Sequence, residues 1–142
     1  LVTIMATKIA VQNPQAPDLS AMFPWGLRVR DFQELLLITG HGDLDPSFQV
    51  RHPGDPLGQT RAILEELRAL LDRAGYSVDD VIKVDVTVTR EYDTATNFNA
   101  FTAIWAEFFA GSPVKPSGGT LRVIDALVVP GMLVEIEMMA AR

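Results

Sequence analysis

The sequence predicts an α+β two-layer sandwich, a mixed six-stranded sheet with two helices on one face, and three observations predict it. Two stretches carry apolar residues at helical period. Six others alternate apolar with polar letters or run apolar between turn residues. The elements follow in the order strand, strand, strand, helix, strand, helix, strand, strand, which lets the helices cover the sheet. A short first strand is read near Lys8 to Val11. Gly26 to Arg30 and the apolar run Leu35 to Thr39, ending at Gly40, are expected to pair across a turn near Asp31. Asp55-Pro56 then supplies an N-cap and a proline for the first helical position, and Ile63, Leu64, Leu67, Leu70, Leu71 and Ala74 form one stripe before Gly75. Ile82, Val84, Val86 and Val88 alternate with Lys83, Asp85, Thr87 and Thr89, which reads as a half-buried strand with a wet face. The second helix opens near Asp93 or Thr94, stacks Phe98, Phe101, Ile104, Trp105, Phe108 and Phe109 on a core face, and ends at Gly111 before Pro113. Thr120 to Leu127 is β-rich, and Val134, Ile136 and Met138 against Glu135 and Glu137 give the last strand.

A chain of 142 residues, 48% hydrophobic and 21% charged, is expected to form one domain over 1–142. No apolar run approaches the ~20 residues of a membrane span. A net charge of −6 and a pI near 4.8 supply no basic field, so neither nucleic acid nor a membrane is expected as a partner. With no cysteine, disulfides, thiolate catalysis and cysteine-held metals are excluded. The first residues show no charged segment before an apolar one, so no signal peptide is read and a cytoplasmic location is expected. Leu1 is not an ordinary start, Met5 is the expected native one, and residues 1–4 carry no argument. The sheet's second face, with Thr87, Glu135 and Glu137 beside Leu133 and Met139, is neither cleanly polar nor cleanly apolar and is expected to meet another subunit.

Glu135 and Glu137 share a strand face because side chains alternate with a period of two. Under a neighbour's cover they are acid/base machinery; in water they are two solvated carboxylates. His41 follows the glycine that ends a strand, where it either lines a cleft or lies on a loop surface, while His52, among Pro53, Gly54 and Asp55, reads as loop. Two histidines so placed make no metal site. Gly118-Gly119 is either an anion-binding nest of backbone amides or a flexible entry to a strand. Met138 and Met139 read as packing.

Several runs in order resemble one family. Gln59-Thr60-Arg61 to Leu67, Leu70-Leu71, Ala74-Gly75-Tyr76 and Val81 to Val86 do so, as do Ile38 to His41, Phe98 to Phe109 and Val134 to Glu137. Together they resemble the reactive intermediate deaminases, also called Rid/YjgF or endoribonuclease L-PSP. The resemblance implies a chorismate-mutase-like fold, a homotrimer with clefts between subunits, and cofactor-free hydrolysis of a small-molecule imine or enamine to a keto compound and ammonia. It also implies site residues: a water-positioning glutamate at Glu135, a small residue and glycine at Thr39 and Gly40 followed by a polar His41, and an aromatic at Trp25.

The family's arginine, which grips the substrate carboxylate, has no counterpart. Counted from Pro116 its place falls on Gly118, and counted back from Glu135 it falls on Thr120. An asparagine in the second helix becomes Thr102. Arg122 shares a face with Gly118 and Thr120 but lies about 13 Å along the strand from the first at ~3.3 Å per residue, or half that from the second. It is read as a relocated clamp or as a salt-bridge residue. Arg28 and Arg30 are further candidates for the same task, against an exposed hairpin face. Two functions follow: a deaminase or hydrolase using Glu135, or a binding or sensing module that kept the cleft and lost the chemistry. A ribonuclease, the third reading, sits poorly with the acidic pI.

Overall fold

A computed structural model describes residues 6–142; residues 1–5, and the expected start at Met5 with them, lie outside the described residues. The elements follow in the expected order: β1 (Thr7–Val11), β2 (Gly26–Arg30), β3 (Leu35–His41), α1 (Pro56–Arg73), β4 (Val81–Thr89), α2 (Thr94–Phe108), β5 (Leu121–Ile124) and β6 (Val134–Ala141). The α+β class holds. The Asp55 carboxylate accepts from the Gly58 amide at 2.9 Å and caps α1, whose buried stripe is Ile63, Leu64, Leu67 and Leu71. Ala74 falls outside that stripe and is exposed, because the helix has already ended. In α2 the Asp93 carboxylate caps the Thr96 amide, and Ile104, Trp105, Phe108 and the following Phe109 are buried. Phe98 is not core as expected: it is 49% exposed, at the rim beside Val88, Tyr92 and Leu121.

The strands form two sheets where one of six was expected. β3-β6-β4-β5 is a mixed sheet, with β4 and β5 parallel and the other pairs antiparallel, while β1 and β2 form a separate hairpin. The expected pairing of β2 with β3 is therefore absent, and the connection shows why. Gln33 and Glu34 both donate their amides to the Arg142 carbonyl, and Arg142 donates back to Glu34, so the β3–β6 ladder runs into the connection itself. Tyr76 donates its hydroxyl to Glu34 at 2.6 Å, and Asp31 takes a left-handed φ of 60°. The hairpin is turned across the end of the sheet at which β3, β4 and β5 begin. There Lys8 donates to the carbonyls of Asp79 and Val114, just ahead of β4 and β5. Burial pushes the Lys8 ammonium pKa below its ordinary value, with Asp79 and Asp80 opposing.

Val84, Val86, Val88, Val134, Ile136 and Met138 face the helices and carry the core. The opposite face differs from the reading in three respects. Leu133, expected there, is buried in the core; it precedes β6, so the strand alternation does not govern it, and its amide is held by Gln59 Oε1 at 2.9 Å. Asp85 and Thr89 are buried rather than wet. β5 is shorter than Thr120 to Leu127: the Thr120 amide is diverted to Asp85, and Asp125 leaves the ladder to pair with Arg90 at 2.7 Å.

Burial, and secondarily the bond to Glu34, raises the Tyr76 phenol to about 12 from the ordinary 10. A folded-state value above the unfolded one stabilises fully below pH 10 and is lost as pH rises towards 12. Denaturant titrations should therefore show native protein losing stability over that window more steeply than Tyr76→Phe, which at neutral pH should cost about 1 kcal/mol.

Candidate functional site

On the open face, strand register sets Arg122 opposite Thr87 and Thr87 opposite Glu135, one row across β5, β4 and β6. Asp85 and Glu137 form the next row. β3 joins through an irregularity between Ile38 and His41, where Thr39 and Gly40 stand against the single residue Glu137. The missing side chain at Gly40 has a consequence for Glu135, because a Cβ there would overlap the carboxylate Oε1. Glu135 thus lies on the bare backbone of β3, half-buried, while Glu137 is exposed beside a hollow of about 230 Å3 that Leu37, Lys83, Asp85 and Met139 also line.

His41 places Nδ1 2.6 Å from the Thr39 carbonyl. A carbonyl only accepts, so Nδ1 is the donor of this bond. Glu135, Thr39, Gly40 and His41 are therefore brought together at the β3–β6 seam, with Arg122 two strands away in the row of Glu135. Trp25 is not in that group. Its ring meets Phe23 edge-on at 6.0 Å, its indole N–H donates to the Pro17 carbonyl, and Phe23 in turn packs where a Gly118 side chain would stand, 2.8 Å from a Cβ there. Ser117 is level with Lys83 in the ladder, four residues along β4 from Thr87, so the Trp25–Gly118 end lies about 13 Å from the row of Glu135 at ~3.3 Å per residue.

Between the two ends sits Asp85, which the sequence did not single out. Its carboxylate accepts from the Thr120 amide at 2.9 Å, meets Lys83 Nζ at 3.2 Å and faces Arg122 Nη1 at 3.9 Å. A side chain on Gly119 would overlap it. Gly119 thus leaves room for a carboxylate that belongs to the protein and is bound by the Thr120 amide, while Gly118 leaves room for the Phe23 ring. The sequence signal was present: an acidic residue mid-strand, and a Gly-Gly entry to a strand that must pass close to something.

His52, read as loop, lies in one, yet its Nδ1 and backbone amide both bind Asp43 Oδ2 at 2.8 Å. Asp43 is buried, and its other oxygen has no partner among the described residues. No periodicity links residues nine apart, and the Leu44–Val50 bridge that folds this loop on itself is not legible beforehand.

The family model described as endoribonuclease L-PSP matches residues 15–142. A RutC family protein of Pyrococcus horikoshii is 36% identical over 105 residues, covering 74% of this chain and 77% of that one. Among solved structures, the Rid family protein YyfB of Yersinia pestis superposes with a TM-score of 0.82 at 23% identity, covering 95% of this chain and 98% of its own. The YjgF gene product of E. coli gives 0.63 at 22% identity over 94% and 98%.

Proposed function

The chain belongs to the endoribonuclease L-PSP family, also known as Rid/YjgF, and from that premise we propose that it is a cofactor-independent hydrolase of small imines or enamines, acting at clefts between the subunits of a homotrimer in the cytoplasm. The observation that carries the reading is the seating of Glu135 against Gly40, which fixes a half-buried carboxylate over bare backbone beside Thr39 and His41. A carboxylate held by packing on a strand can orient a water where a loop residue would wander. An enamine first tautomerises to its imine; water oxygen then adds to the imine carbon while its proton passes to Glu135, which returns it to the nitrogen, and as the C–N bond of the carbinolamine breaks the hydroxyl proton passes through Glu135 to the departing nitrogen, leaving a carbonyl compound and ammonia. The chemistry needs one positioned water and one acid/base group. Thr39, Gly40 and His41 line the cleft, Thr120 and Gly118 mark its far side, and Trp25 stands at its outer end.

Asp85 favours the second reading, a binding or sensing module without deaminase chemistry. It takes the Thr120 amide and stands 3.9 Å from the Arg122 guanidinium, so the amide is occupied and the guanidinium already faces a carboxylate of the protein. An unpaired carboxylate in a partly dry cleft is costly. Ammonia and keto-acid release from 2-aminoacrylate or iminopyruvate, generated by a coupled amino-acid oxidase, separates the two. We expect slow turnover of these substrates and faster turnover of imines lacking a carboxylate. Release no faster than the uncatalysed background for either class would leave the binding module.

A further inference from the structure

Both helices connect strands that run the same way. β3 and β4 are each antiparallel to β6, and β4 and β5 are parallel, so α1 and α2 lie side by side in one direction on the core face of the sheet. Between them runs a groove of about 240 Å3. Its floor is apolar: Leu64 of α1 with Ile104 and Phe108 of α2, all buried members of the core whose edges reach the groove. Its walls are charged. Arg61, Glu65 and Arg68 stand on α1 at spacings of four and three, which keeps them on one side of the helix, and Glu107 stands on α2. All four are exposed.

Two of these four charges engage each other. Arg68 stacks its guanidinium over the Phe108 ring, 4.7 Å from the centroid, and stands 3.8 Å from the Glu65 carboxylate. Arg61 and Glu107 are left over, with no ion-pair partner among the described residues. The stacking sets Arg68 level with Phe108, and hence with its neighbour Glu107. Arg61 lies seven residues nearer the start of α1, about 10 Å away at ~1.5 Å per residue. An unpaired guanidinium therefore stands at one end of the groove, an unpaired carboxylate at the other, and apolar surface between them.

We propose that this groove binds an elongated zwitterion, with its carboxylate on Arg61, its ammonium group on Glu107 and its apolar body on Leu64 and Ile104. A simple anion or cation meets one of the two charges and leaves the other without a partner. A free α-amino acid, whose two charges sit on one carbon, does not reach both ends. Two sources carry the required chemistry: an ω-amino acid, and a short apolar peptide with free ends, of which three residues span about 10 Å when extended. The volume is below the roughly 300–1,000 Å3 of drug-sized pockets, in keeping with so small a ligand. Glu135 lies on the other side of the sheet, so the site is independent of the hydrolase reading.

Titration of isotope-labelled protein with 8-aminooctanoate and, separately, with the tripeptide Ala-Leu-Ala tests the site by nuclear magnetic resonance. At least one of the two should give saturable shifts of the Leu64, Ile104 and Phe108 signals that weaken as salt is added. Octanoate and octylamine, each carrying one of the two charges, should bind more weakly. Arg61→Glu and Glu107→Arg should each weaken zwitterion binding by about 5-fold, the upper end for one exposed ion pair. The double reversal should restore it, because a zwitterion can turn end for end. Both positions are exposed, so circular dichroism should match the unmodified protein in all three variants. A response to 8-aminooctanoate alone assigns the site to ω-amino acids, and a response to the tripeptide alone assigns it to peptide ends. Three results would overturn the proposal: no saturable shift with either zwitterion, octanoate or octylamine binding as well as the zwitterions, or a double reversal that binds no better than the single ones.

Discussion

Glu135→Gln should lower the proposed imine hydrolysis by about 10²–10⁴, the range over which a positioned general base contributes. The amide keeps the size and most of the hydrogen bonding of the carboxylate but not its basic oxygen, so kcat should carry the loss and KM should move little. Glu137→Gln is the internal control, because its side chain shares the face and is exposed while that of Glu135 is seated on Gly40. Gly40→Ala provides a second route to the same end: the added methyl overlaps Glu135 Oε1 and pushes the carboxylate off the β3 backbone without changing its chemistry. A displacement of about 1 Å can cost 10²-fold. Single-turnover rates for the three variants make the comparison. Equal losses from Glu135→Gln and Glu137→Gln would mean that the pair is no more than a solvated strand face.

How far the sequence foretold this site depends on the range of the interactions involved. α1 was legible from Asp55, Pro56 and the stripe from Ile63 to Leu71, all but its end, where Ala74 lies past the last turn, because capping and helical period are local. Glu135 and Glu137 were placed on one face by alternation alone. Their relation to Gly40 required the β3–β6 register and its irregularity, which no local pattern encodes. The pairing of β2 with β3 was expected for a sound local reason, two apolar runs separated by a turn. It failed because the C-terminal residue Arg142 takes the amides of Gln33 and Glu34, a contact across more than a hundred residues. The wet face assigned to Lys83, Asp85, Thr87 and Thr89 failed at Asp85 and Thr89 in a similar way: alternation gives the side on which a residue lies, not what the neighbouring segment lays over it.

Gly119 should be the least replaceable glycine of the chain, and Gly119→Ala should cost about 2–5 kcal/mol. About 1–2 kcal/mol comes from placing a Cβ residue at φ 53°, and about 1–3 from overpacking. The overlap is with the Val84 carbonyl and the Asp85 carboxylate together. A side chain can swing away, but a carbonyl inside the β4 ladder cannot. Two other glycines separate the contributions. Gly75 has φ 82° with open space where a Cβ would go, so Gly75→Ala pays the conformational part alone. Gly118→Ala meets a Phe23 ring that can shift, so it should cost less than Gly119→Ala. Asp85→Ala combined with Gly119→Ala removes one of the two overlaps, and a double-mutant cycle should show partial relief rather than additivity. By thermal unfolding the loss at Gly119 should be roughly 4–20 °C at about 2–4 °C per kcal/mol. The same variant should release Arg122 from the row of Glu135, because the Thr120 amide, the Asp85 carboxylate and the start of β5 are positioned by this one close approach. A Gly119→Ala protein no less stable than Gly75→Ala would mean that β5 can move away from β4 at little cost, and that Asp85 does not fix the far side of the cleft.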